Sequence, residues 1–140
     1  MTDAPIEVAD WLDGRTFSPR MTATLDLPPG DALALVSGAL AAQGFRIKDS
    51  TATGFRATWA DRSGWLGVAL ATDWDFKRTR LAVAAAPAGS GTTLTVAVEK
   101  GAEHRAGRRK GREALTAAFQ DAQRRGVTVT TTAWEKRGRG

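Results

Sequence analysis

The sequence predicts an α+β fold, an antiparallel sheet of five to six strands with two helices packed on one face, and three observations carry that prediction. Short stretches of strict apolar–polar alternation recur along the chain, as half-buried strands require. Two longer stretches repeat their apolar residues at helical spacing, Leu33, Val36 and Leu40 in one and Leu115, Ala118, Phe119 and Ala122 in the other. Clusters of Gly, Pro, Asp and Ser punctuate these stretches at short intervals, the spacing of hairpin-linked strands.

Residues 1–19 are read as an acidic N-terminal arm or one short helix, with Thr2 or Asp3 as cap, Pro5 in the first turn and Gly14 as stop. From Arg20, Met21, Ala23, Leu25 and Leu27 alternate with Thr22, Thr24 and Asp26, which predicts a strand. Pro28-Pro29-Gly30 ends it, because proline cannot donate to a ladder. Asp31 is then placed as the cap of a helix through about Gln43, stopped by Gly44 in a left-handed conformation. Strands follow at Phe45–Asp49 and Phe55–Trp59, the latter ending at Asp61-Arg62-Ser63-Gly64. Leu66, Val68, Leu70, Trp74 and Phe76 all fall on even positions and predict one long strand. Leu81, Val83 and Ala85 form the next, closed by Pro87-Ala88-Gly89-Ser90-Gly91, and Leu94, Val96 and Val98 make the last core strand. A helix starting at Arg105 or Arg108 runs to Arg125, and Gly126 ends it. The order is β-α-β-β-β-β-β-α, with a single domain over residues 20–126 and a β-prone basic tail over 127–140.

Composition bounds the function classes. At 140 residues, with 42% apolar and 25% charged residues, the chain has the size and make-up of one globular domain. No apolar run approaches the ~20 residues that cross a bilayer, and the acidic start lacks the basic region and apolar stretch of a signal peptide. A soluble, cytoplasmic protein is expected. The absence of Cys excludes disulfides, thiolate nucleophiles and most zinc chemistry. Charge is uneven. Residues 1–14 hold four acids and no base, whereas residues 100–140 hold eleven bases and four acids. That locality makes a field able to steer an anionic partner.

The element order over residues 20–125 resembles the TATA-box-binding-protein-like half-domain and, more loosely, the helix-grip fold of the START/polyketide-cyclase superfamily. It is similar too to small actinobacterial proteins with a β-α-β…-α plan. The helix-grip resemblance implies a cavity between the sheet and the C-terminal helix. Trp59, Trp74, Phe76, Leu115 and Phe119 would line it and hold a small apolar ligand, or would simply fill the core.

With the apolar positions turned to the helices, the period of two fixes what the other sheet face carries. Its predicted centre is small (Gly67, Ala69, Ala71, Ala82, Ala84) and its flanks are basic, with Arg46, Lys48, Arg56 and Arg80. Trp65 falls on the same face, where it would stack on a base or ligand, or cover the gap at Gly67. A second basic set, Arg105, Arg108, Arg109, Lys110 and Arg112, starts the last helix. Cations there oppose the helix dipole, each at a cost of a few tenths of a kcal/mol, which an anionic partner would offset. An acidic arm such as residues 3–13 of a neighbouring subunit is one such partner. A solvated basic face with Glu103 and Glu113 as local partners is the plainer alternative.

Tests for chemistry return little. His104 is the only histidine, so one chain holds no multi-His metal site. Gly-Ser-Gly at 89–91 precedes a strand, not the helix that a nucleophile elbow needs. Residues 101–110 lack the phosphate-cradling GxxxxGK[ST] spacing. Asp73 and Asp75 share one strand face, but Lys77, Arg78 and Arg80 beside them point to charge pairing. No cofactor, no metal and no catalytic residue is expected. The expected function is a non-catalytic binding or assembly module. It would engage an anionic partner, nucleic acid among them, or a protein subunit through its basic C-terminal third and outer sheet face, and associate with copies of itself through its terminal arms. The alternative is the apolar-ligand carrier.

Overall fold

The computed structural model describes residues 4–9, 19–60, 78–99 and 105–135. Strands β1 (Arg20–Leu25), β2 (Arg46–Thr51), β3 (Gly54–Ala60), β4 (Arg78–Ala88), β5 (Gly91–Val98) and β6 (Val129–Thr131) form one open sheet, ordered β2-β3-β4-β5-β1-β6. Every pairing is antiparallel. Helix α1 (Pro29–Ala42) follows β1, and helix α2 (Arg105–Arg124) follows β5. The fold is α+β, as the alternation predicted. The long strand expected across Leu66–Phe76 lies outside the described residues.

Alternation decides which face is covered. Met21, Ala23 and Leu25 of β1, Phe55 and Ala57 of β3, Leu81, Val83 and Ala85 of β4, and Leu94, Val96 and Val98 of β5 are all buried. They join Ala32, Leu33, Val36 and Leu40 of α1 and Ala114, Leu115, Ala118, Phe119 and Ala122 of α2 in one core. Both helices therefore cover the same face, and among the described residues no helix covers the other. Gly44 (φ 96°) and Gly126 (φ 86°) stop the helices where the sequence places the stops, both in the left-handed conformation. In each case two closing bonds take up the last carbonyls: Gly44 and Phe45 donate to Ala41 and Leu40, and Gly126 and Val127 donate to Gln123 and Ala122.

One expectation is corrected, the cap of the first helix, and two left open by the sequence are given form. Helix α1 begins at Pro29, and its N-cap is Pro28 (φ −60°, ψ 152°), which makes no side-chain capping bond. Proline at the first helical position has no amide to satisfy, so Asp31 is released to the first turn, where its charge suits the helix dipole. Residues 4–9 are not helical. Their backbone groups are taken by side chains of α2 instead of by each other. The chain beyond Gly126 joins the sheet of its own molecule. Val129–Thr131 pairs with β1, and Glu135 makes an isolated bridge to Arg20 with both backbone bonds at 2.8 Å.

Candidate anion-binding surfaces

The sheet face opposite the two helices is built by register. Lys48 stands opposite Arg56, Arg56 opposite Ala82, Ala82 opposite Ala97, and Ala97 opposite Arg20. These pairings set one row across five strands, a span of about 19 Å at the usual strand spacing. Arg46, Thr58 and Arg80 make the neighbouring row, and Glu99 donates its amide to the Arg80 carbonyl at 2.9 Å. Toward the opposite end the same face turns to hydroxyls: Thr95 pairs with Thr22 and Thr93 with Thr24, which in turn faces Thr130. Thr132 donates its amide to the Thr22 carbonyl and accepts from the Thr22 amide through Oγ1. The face thus divides into an end where five cations stand around an alanine floor, with Glu99 and Glu135 beside them, and a threonine end.

Arg46, Lys48 and Arg56 are exposed, while Arg20 and Arg80 are half-buried. Arg56 lies 3.9 Å from Glu99, both in contact with solvent. A pair so loose and wet contributes little to stability. The Arg20 Nε is buried without a hydrogen-bond partner. Sequence reasoning begins the strand at Arg20 but leaves it out of the candidate set, because the polar face is counted from Thr22. The period of two carries one residue further back and puts Arg20 beside the predicted cations.

The second basic set lies on the other side of the sheet. Helix α2 turns Gly107 and Gly111 inward along with its apolar stripe, leaving Arg109 exposed and Arg108, Lys110 and Arg112 half-buried. Arg105 is the first residue of the helix, and its side chain lies outside the described part. Gly107 sits directly over β4 and β3: a Cβ there would overlap the Thr79 hydroxyl and come within 2.8 Å of both Thr79 Cβ and Trp59 Cε3. Only the bare backbone lets the basic end of α2 settle so low.

Beside Arg112, residues 4–9 run along α2 in the opposite direction. Gln123 Nε2 donates to the Ala4 carbonyl at 3.0 Å, and its Oε1 accepts from the Ile6 amide at 2.9 Å. Gln120 Nε2 donates to the Ile6 carbonyl, and Thr116 Oγ1 accepts from the Val8 amide, both at 3.0 Å. Glu7, Val8, Arg112, Glu113 and Thr116 line a shared open depression of about 380 Å³. So the acidic arm and the basic helix meet within one chain.

Three of the residues proposed for an apolar cavity are described. Leu115 and Phe119 are fully buried in the continuous core, and Trp59 is half-buried at its margin against Gly107 and Gly44. Trp74 and Phe76 lie outside the described residues, as do Trp65, His104, Asp73 and Asp75. A larger open groove, about 640 Å³, runs between α1 and α2 past Leu35, Ala39, Ala118 and Ala122. Among the described residues no group of three or more His, Cys, Asp or Glu side chains converges as a metal site would. Nor is any helix among them long and apolar enough to cross a membrane. No protein-family model matches the chain, and no curated protein matches it in sequence.

Proposed function

We propose that this chain is a non-catalytic binding module that holds an anionic partner on its open sheet face, with the cations of its C-terminal third as a second contact surface. Nucleic-acid backbone is the partner chemistry that fits best. The observation that carries the reading is the row Lys48–Arg56–Ala82–Ala97–Arg20 with Arg46 and Arg80 beside it. Long cationic side chains stand around a floor of alanines, so phosphates reach the guanidinium and ammonium groups without steric obstruction from the floor. The threonine end offers hydroxyls able to donate to the same kind of oxygen. Such a module works by charge and shape and needs no nucleophile, metal or cofactor. As part of the same reading, the protein acts in the cytoplasm and its copies associate through their terminal arms.

The test is fluorescence anisotropy with labelled single- and double-stranded oligonucleotides over a salt series, with heparin as a polyanion that is not a nucleic acid. Binding should weaken steeply with salt, each neutralised phosphate contributing about 0.7–0.9 to the log–log slope. Equal preference for heparin would identify the partner as a polyanion other than nucleic acid. No binding to any of them at low salt would end the proposal.

A further inference from the structure

Helix α1 has no polar face. Of its fourteen residues only Asp31 is charged, and only Ser37 carries another polar side chain. Ala32, Leu33, Val36 and Leu40 belong to the core, yet the side turned away from it is apolar as well. Ala34, Gly38, Ala41 and Ala42 are exposed there, and Leu35 and Ala39 are half-buried. A helix with one face in solvent ordinarily keeps its charges on that face, and one that is apolar all round is ordinarily covered on both sides. Helix α2 follows the first pattern, with Arg109, Glu113 and Arg124 on its exposed side.

The groove between the helices continues this apolar side, with Ala34 and Ala117 beside Leu35, Ala39, Ala118 and Ala122. Its two ends differ in charge, because the helices run antiparallel. Asp26, just before α1, donates its amide to the carbonyl of Thr128, just after α2, at 3.2 Å. At the other end Gly44 and Gly107 both stand against Trp59. Asp31 therefore shares one end of the groove with Arg124 and Arg125. Those two guanidiniums divide a single carboxylate, Asp121, at 3.5 and 2.8 Å, so α2 keeps an excess positive charge there. Asp31 is exposed and makes no ion pair among the described residues. About two turns further along each helix, Gly38 and Ala117 line the groove at the same level.

We infer that the α1–α2 face is the contact between two copies of this chain, related by a two-fold axis along the groove. A half-turn about that line lays α1 of one copy on α2 of the other and keeps the ends in place. Asp31 of each copy then meets Arg124 and Arg125 of the other, and Gly38 meets Ala117. An axis across the groove would lay α1 on α1 and bring Asp31 to the negative end of the partner helix, so charge selects the first arrangement. The face is about 21 Å long and two helices wide, roughly 400 Å² in projection on each copy. That is at the low end for a specific interface, so the dimer is expected to form in the micromolar range. The contact lies on the helical layer, apart from the open sheet face and from the terminal arms, and holds or fails independently of what they bind.

The test is sedimentation velocity on the full chain, freed of nucleic acid, from low to high micromolar concentration. The monomer should pass to a dimer over that range. Ala34 and Ala117 are exposed in the single chain, so Ala34→Glu and Ala117→Glu should keep the circular dichroism and urea midpoint of the parent. Each should weaken association about tenfold or more, because the new carboxylate is buried without a partner. Thr24→Glu, on the far sheet face, should leave association unchanged. The absence of cysteine allows the axis to be read as well. A mixture of Gly38→Cys and Ala117→Cys chains should form a disulfide-linked dimer several-fold faster than either variant alone. A chain that stays monomeric throughout, association that survives both glutamates, or Gly38→Cys linking fastest to itself overturns the inference.

Discussion

Two glycines inside helices make opposite demands, and the difference is set by what stands beside each Cα. A Cβ on Gly107 would run into Thr79 and Trp59, which belong to two paired strands, so the helix or both side chains must shift. Gly107→Ala should cost roughly 1–3 kcal/mol by overpacking, read as a lowered urea midpoint at unchanged slope. Gly38, in the middle of α1, has nothing within 4 Å of the Cβ position. There the ordinary helix preference governs, so Gly38→Ala should stabilise by about 0.5–1 kcal/mol in the same assay. Thr79 supplies a third case at this scale. It is fully buried, and its hydroxyl has no hydrogen-bond partner. Replacing it by the similarly shaped valine removes an unsatisfied polar atom and should be neutral or stabilising by roughly 1 kcal/mol. A clear drop in stability on Thr79→Val would mean that the hydroxyl is bonded after all.

At the level of elements, the arm depends on side chains more than on its own conformation. Gln123 holds both the Ala4 carbonyl and the Ile6 amide, so Gln123→Ala should cost about 1–2 kcal/mol and raise amide exchange at Ile6 well before it does so in the sheet. The arm was the least legible part of the sequence for the same reason. Its partners Thr116, Gln120 and Gln123 lie more than a hundred residues away and have no periodic signature of their own. Strands and helices were legible, because period 2 and period 3.6 are local and the glycine stops need only their own φ. The end of the sheet was legible in propensity alone: Val127–Thr132 read as β-prone, but nothing local specifies that its partner is β1 of the same chain. The cap of α1 misled for a related reason. Asp31 is a good cap by type, but the fixed geometry of Pro28 and Pro29 had already started the helix. As for the candidate surfaces, alternation located Arg46, Lys48, Arg56 and Arg80 on one face, and only the strand register brought Arg20 into line with them.

Over the whole molecule, the decisive fact is that the two basic sets face opposite ways. The core lies between the sheet and the helices, so an anion on the open face meets Arg20, Arg46, Lys48, Arg56 and Arg80 but not the cations of α2. Counting charge along the sequence could not separate them, since the formal net charge of +5 is a single number for both. Paired substitutions can. Lys48→Ala with Arg56→Ala removes two cations from the open face and leaves the core untouched. The only ion pair among the described residues that it breaks is the loose, exposed one with Glu99, so the fold should persist. If the open face carries the binding, this variant should hold an oligonucleotide several-fold more weakly at low salt and drop about 1–2 from the slope of log affinity against log salt. Arg109→Ala with Lys110→Ala changes net charge by the same amount on the other side and, because α2 is the second contact surface, should weaken binding less than the open-face pair does. The reverse ranking would move the binding surface to α2, and equal weakening by both pairs would mean that net charge alone attracts the partner.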